Sequence, residues 1–187
     1  MNDITSNMVS YLFIAVFMVI FTSIGLSEYN WNNTPDTIDT IKFDYDENFK
    51  LSENGRVALH KLKKAENYCV YRAGTAGRYT NEFSDFSILM QEKHAISALK
   101  SLTQNGTKYA QAFGLVGLKL KSPDLIDKLK PAIMKSNKAI SINSGCLREN
   151  MKISSMLYVE KVNHYDRLKK SLDLHYQWLK KNHYYSN

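Results

Sequence analysis

The sequence predicts a mainly α-helical protein, in which an N-terminal transmembrane helix is followed by one compact helical domain. Three observations lead to this fold class. Residues 8–26 contain no charged side chain. Apolar residues then recur at helical intervals over most of residues 51–187. No stretch rich in glycine and proline divides that region, so it is long enough for one core and shows no sign of a second.

The apolar segment reads MVSYLFIAVFMVIFTSIGL. A helix of this length is roughly 28 Å long, close to the ~30 Å hydrocarbon core of a bilayer. The tail before it, residues 1–7, contains Asp3 and no Lys or Arg, which favours an uncleaved anchor over a secretory signal. Cleavage remains an alternative because Gly25 and Ser27 have suitable spacing, and a buried core helix is a third reading.

Flanking charge specifies the topology weakly, because Lys42 and Lys50 are the only bases near the apolar segment. Cys69 and Cys146 are the only cysteines, and an even number suits one disulfide in an oxidising compartment. Two unrelated buried thiols are the alternative. We expect a single-pass protein of a bacterial inner membrane with its soluble domain in the periplasm, or secretion if the segment is cleaved.

The composition of residues 27–50, between the membrane segment and the domain, predicts an acidic polar spacer. Residues 28–50 have a net charge of −4, whereas residues 51–187 hold 23 basic and 11 acidic side chains, a net of +12. Within the spacer, residues 40–45 predict a short extended segment laid on the domain. The opposite charges predict attraction between spacer and domain, or a basic face for an acidic partner.

Apolar periodicity predicts the first helices of the basic helical domain, residues 51–187. Helices are expected over 54–65, 82–91 and 94–102, and Gly106 ends the third. Two extended segments, at 67–71 and 138–143, would form a short two-stranded pairing. That pairing would bring Cys69 and Cys146 together.

A helical hairpin is predicted at the centre of the domain. Thr107 is the expected N-cap of a helix that is apolar on nearly all sides. Ser122 is the expected cap of a second helix, with Pro123 in its first turn. Pro131 is expected to kink or interrupt that second helix. Two helices joined by a Ser-Pro-Asp turn make an αα-hairpin.

The run NGTKYAQAFGLVGLKLKSPDLIDKLKP, residues 105–131, is similar to a HEAT-like helical repeat. Its first helix carries small residues that allow close approach: Ala110, Ala112, Gly114 and Gly117. The helices at 82–91 and 94–102 resemble a degenerate second copy, although no fixed period supports an array. Residues 68–146 also resemble small exported bacterial proteins of unassigned role, a resemblance that implies export but no activity.

The apolar periodicity of the tail, residues 155–181, predicts one long helix with an apolar stripe toward the core. The basic residues outside the stripe are the candidate partner-binding set: Lys161, Arg167, Lys169, Lys170, Lys180 and Lys181. His164 and His175 would project from one side, about 16 Å apart along the axis, too far for one metal ion. Each is followed by tyrosine, a pattern more typical of an amphipathic surface than of a ligand set.

The chain contains no HExxH, GxSxG, GxxxxGK[ST], GxGxxG or CxxC. We therefore predict no enzyme activity, no catalytic or metal-binding residues and no cofactor. Aromatic residues interleaved with Lys and Arg also occur in nucleic-acid binders, but no fold signature accompanies them here and the membrane segment argues against that class.

A specific binding function remains. We expect a membrane-tethered extracytoplasmic protein that holds an acidic protein partner, as immunity or inhibitor proteins do. An envelope structural or scaffolding protein is the alternative, and an enzyme of unrecognised type is a third, less favoured reading.

Overall fold

The structure is a computed structural model that describes residues 36–69, 79–144, 147–158 and 164–182. The described residues are mainly helical and include one two-stranded antiparallel sheet, which confirms the predicted class. The helices, in chain order, are α1 (Glu53–Lys63), α2 (Asn81–Gln91), α3 (Ala95–Asn105), α4 (Lys108–Lys121), α5 (Pro123–Lys135), α6 (Ile153–Tyr158) and α7 (His164–Lys181). The strands β1 (Ala139–Ser144) and β2 (Leu147–Lys152) lie between α5 and α6.

No helix within the described ranges is both long and apolar enough to cross a membrane. The predicted transmembrane segment, residues 8–26, lies outside those ranges, as do residues 1–7 and the first part of the spacer. The membrane helix therefore stays a prediction.

Helix α4 is the centre of the core, and every residue from Ala110 to Leu118 is buried. Thr107 caps it as predicted, because its Oγ1 accepts a hydrogen bond from the Ala110 N–H at 3.2 Å. Gly114 and Gly117 lie against α3: a Cβ added to Gly114 would be 2.8 Å from the Leu99 carbonyl oxygen. The two glycines thus allow the contact with α3, the helix that α4 contacts most extensively.

Helix α5 follows α4 after Ser122 and contacts it. Pro123 occupies the first turn of α5, as predicted. The predicted side-chain cap is wrong, because the Ser122 hydroxyl makes no capping bond and only its carbonyl accepts from the Leu125 N–H, at 3.1 Å. Pro131 does not interrupt the helix, which continues to Lys135. Nothing in this geometry identifies a HEAT-like repeat, so that resemblance stays a prediction.

Residues 36–50, which we call the N-terminal strap, pack on the domain. The spacer prediction expected this only of residues 40–45. Ile38 is 1 % exposed, and Ile41 is also buried in the core. Thr37 Oγ1 donates to the Ala132 carbonyl at 2.8 Å, and the Phe43 N–H donates to Gln104 Oε1 at 3.1 Å. These residues therefore belong to the compact unit that begins at Asp36.

Strand β1 covers the extended segment predicted at 138–143, but its main partner differs from the expected one. It pairs with β2 in an antiparallel hairpin that places Ile142 opposite Glu149. The predicted pairing with residues 67–71 is reduced, within the described chain, to one parallel bridge between Tyr68 and Ile142. Strand β2 was missed because its sequence, LRENMK, lacks the β-branched residues that favour strands.

Within the predicted tail helix, residues 155–158 belong to α6 and residues 164–181 form α7. Residues 159–163 lie outside the described residues, so one continuous helix stays a prediction. Four residues of the predicted apolar stripe are buried: Leu157, Leu168, Leu172 and Leu179. The Tyr158 hydroxyl donates to the Ile126 carbonyl at 3.0 Å and links α6 to α5. The stripe therefore faces the core on both helices.

Candidate binding surface on helix α7

Helix α7 is held against α2 by an apolar inner face and by polar contacts. Its buried residues are Leu168, Leu172, His175 and Leu179. Ser87 Oγ of α2 donates to the Leu172 carbonyl at 3.0 Å, a buried hydrogen bond. Gln91 Nε2 donates to Asp173 Oδ1 at 3.4 Å. These contacts fix which side of α7 faces solvent.

His175 is the unexpected member of this inner face, because its sequence context suggested a surface position. The side chain is only 4 % exposed, and its Nε2 lies 2.9 Å from Ser84 Oγ. Its ring packs 4.3 Å from the Tyr79 ring and 5.4 Å from the Phe83 ring, measured between centroids. The imidazole is therefore a packed, hydrogen-bonded part of the α2–α7 contact.

The outer face of α7 carries five of the six predicted partner-binding residues, all of them exposed: Arg167, Lys169, Lys170, Lys180 and Lys181. We call these five residues the basic face. Lys161 lies outside the described residues. None of the five forms an ion pair with a residue in the part of the chain that the structure describes.

Two carboxylates of the N-terminal strap, those of Asp36 and Asp39, bind residues of the domain away from α7. Asp39 accepts hydrogen bonds from Lys138 and from Gln111 Nε2, the latter at 2.9 Å. Burial raises the pKa of Asp39, but the hydrogen bonds from Lys138 and Gln111 outweigh burial and leave this pKa below its ordinary value. Asp36 accepts from Ser136 Oγ at 2.6 Å. These two carboxylates of the strap thus contact the segment that follows α5, and neither contacts the basic face.

Successive residues of an α-helix are rotated by roughly 100° around its axis, so the exposed cations of α7 fall on two edges of the helix. Lys169 and Lys180 form the lysine edge. Lys169 lines a shallow cleft of about 170 Å³ together with Lys121, Asp173 and Leu120. Lys121 therefore extends the positive charge of the lysine edge onto α4, while the carboxylate of Asp173 supplies one negative charge.

The other edge carries two exposed apolar side chains that the sequence analysis missed. Leu174 is 54 % exposed and Trp178 is 52 % exposed, one helical turn apart. Trp178 stacks on His175 with ring centroids 5.7 Å apart. Both residues fall outside the predicted apolar stripe, and this departure from the stripe was the signal that could have revealed them. We call Arg167, Lys170, Leu174, Trp178 and Lys181 the tryptophan edge.

The structure leaves the predicted disulfide untested. Cys69 is buried, and Cys146 lies outside the described residues. The bridge between Tyr68 and Ile142 brings the residue before Cys69 beside β1, and the disulfide stays a prediction.

Over the described ranges, no three His, Cys, Asp or Glu side chains are arranged so that they could hold a metal ion. A second polar cleft lies between α1 and α2 and is lined by Lys61, Lys64, Glu82 and Asp85. Burial raises the pKa of Asp85 to about 6, more than Lys61 lowers it, and Glu82 raises it further. The cleft thus contains one carboxylate that is costly to ionise.

No protein-family model matches the chain, and no match was found among curated proteins or solved structures.

Proposed function

We propose that this chain is a membrane-tethered, extracytoplasmic binding protein that holds an acidic protein partner, in the manner of immunity or inhibitor proteins. The observation that supports this most strongly is the basic face: five exposed cations on one helix, without an ion pair to any described residue. Its partner would present carboxylates to α7.

The way α7 is anchored supports a binding role. Because the buried inner face and the Ser87–Leu172 hydrogen bond hold the helix in one orientation, little backbone freedom is lost when a partner binds. Exposed charge of this kind mainly accelerates association and contributes less to final affinity. The proposal therefore predicts fast, salt-sensitive binding.

The lysine edge provides the most direct test. Lys169→Glu with Lys180→Glu reverses two exposed charges and should leave the fold nearly unchanged, since exposed substitutions usually alter stability by less than about 0.5 kcal/mol. The partner captured by the wild-type chain from the cell envelope should associate much more slowly with this variant, and raising the salt from low to physiological strength should also slow it.

The matched control is Lys128→Glu with Lys135→Glu, which makes the same charge change on exposed residues of α5. Capture that is indifferent to the α7 changes and to salt would contradict the proposal. Compartment is tested separately: an alkaline phosphatase fused after residue 187 should be active, and activity only from a cytoplasmic reporter would show the opposite orientation.

A further inference from the structure

We propose that the tryptophan edge of α7 lies on an anionic lipid bilayer. This inference goes beyond the proposed function, because it assigns the three basic-face cations of the tryptophan edge to a lipid surface and leaves Lys169 and Lys180 to the protein partner.

The apolar part of the edge is unusual within the described chain. Its exposed large apolar side chains are Val57, Ile96, Met134, Leu174 and Trp178. The first three lie singly on α1, α3 and α5, as scattered apolar residues normally do. Leu174 and Trp178 share one helical face, so they form the only such pair among the described residues.

Cations surround that pair. At roughly 100° per residue, Arg167 falls between Leu174 and Trp178 around the helix, and Lys170 and Lys181 lie just beyond Leu174. Of the two acids of α7, Asp173 falls toward the lysine edge, where it accepts a bond from Gln91, and Asp166 lies midway between Lys180 and Lys170. The carboxylates of α7 thus lie beyond Lys170, on the side away from Leu174 and Trp178, and none falls between those two apolar residues.

This combination fits the surface of an anionic bilayer. Tryptophan favours the boundary between headgroups and acyl chains, and Lys and Arg are attracted to anionic headgroups. The depth of insertion is limited, because Leu168, Leu172 and His175 hold the opposite face of α7 in the core. Only the outer side chains can reach the headgroup region, so we expect shallow docking, not penetration by the whole helix.

The test uses the full chain with Trp31→Phe, which leaves Trp178 as the single tryptophan. This chain is reconstituted into phosphatidylcholine vesicles with or without phosphatidylglycerol, each containing brominated lipid as a quencher. Because only Trp178 emission is followed, insertion of residues 8–26 does not contribute to the signal. We expect a blue shift and quenching in vesicles with phosphatidylglycerol, and weak quenching in phosphatidylcholine alone.

Lys170→Glu with Lys181→Glu should lower the docking equilibrium by about 25-fold or more, since each cation near an anionic surface contributes about five-fold. Leu174→Ser should lower it as well. The matched controls, Lys128→Glu with Lys135→Glu for charge and Val57→Ser for an exposed apolar residue, should quench like the parent chain.

Three results would overturn the proposal. Trp178 could remain unquenched in both kinds of vesicle, or it could be quenched equally in both, which would remove the role of anionic lipid. Alternatively, its emission could respond to soluble polyglutamate and not to the bilayer, which would assign this edge to an acidic protein.

Discussion

Asp85 is an acid placed where ionisation is unfavourable. It is 8 % exposed and makes no ion pair within the described part of the chain, although Lys61 lies near enough to lower its pKa. Burial dominates and raises that pKa from 3.8 to about 6. At neutral pH the folded protein therefore carries a buried, ionised carboxylate at a cost in stability.

We predict that Asp85→Asn stabilises the protein at pH 8 and changes little at pH 4. Since the folded-state pKa lies above the unfolded value, the folded chain keeps a proton between about pH 4 and 6 that the unfolded chain has released. The free energy of unfolding of the wild type thus falls as pH rises through that window. The shift corresponds to about 3 kcal/mol at most, and an amide does not incur this penalty.

Urea unfolding at pH 4, 6 and 8 measures this difference. Asp124→Asn, a change at an exposed acid of α5, is the control and should show no comparable pH dependence. An equal stability change for Asp85→Asn at pH 4 and pH 8 would refute the interpretation.

At the scale of elements, the α3–α4 contact depends on two glycines with different surroundings. A Cβ at Gly114 would meet the Leu99 carbonyl oxygen at 2.8 Å and the Thr103 backbone nitrogen at 2.9 Å. A Cβ at Gly117 would meet only the Leu99 side chain, which can move. Backbone atoms in a packed helix pair yield much less readily.

We predict that Gly114→Ala destabilises the fold by about 1–3 kcal/mol, the usual range for overpacking. Gly117→Ala should be much milder, because the better helix propensity of alanine, worth about 1 kcal/mol, offsets the strain on Leu99. Thermal and urea unfolding of the two variants make the comparison. Equal effects would mean that α3 and α4 separate easily.

The N-terminal strap is the second element whose contribution can be measured. Ile38→Ala should reduce stability by about 2–4 kcal/mol, as expected for removing a fully buried isoleucine side chain. Ile96→Ala removes the same atoms from a residue that is 40 % exposed and is the control. Little difference between the two variants would restore the interpretation of residues 36–50 as a loose spacer.

At the scale of the whole molecule, the predicted disulfide is a covalent link whose formation can be measured directly. A Cys69–Cys146 bond would close a long loop and stabilise the fold by roughly 4 kcal/mol on the chain-entropy model. When the protein is denatured without reductant and treated with an alkylating agent, we expect mass spectrometry to find no alkylated cysteine. Two alkylated cysteines before reduction would establish separate thiols.

The sequence by itself determined the features that depend on neighbours along the chain. Helix starts at Thr107 and Pro123 were predictable, because a cap and a first-turn proline act within a few residues of the helix end. The exposure of Lys169, Lys170 and their neighbours followed from their positions off the apolar stripe. The mainly helical class followed from the same periodicity.

Only the tertiary structure decided which surfaces meet. It placed Gly114 against α3, paired β1 with β2, and buried Ile38 of a segment whose composition is polar. It also buried His175 and left Trp178 at the surface. Each outcome depends on contacts between residues distant in the sequence, and local patterns do not encode these, because burial depends on which partner covers a side chain.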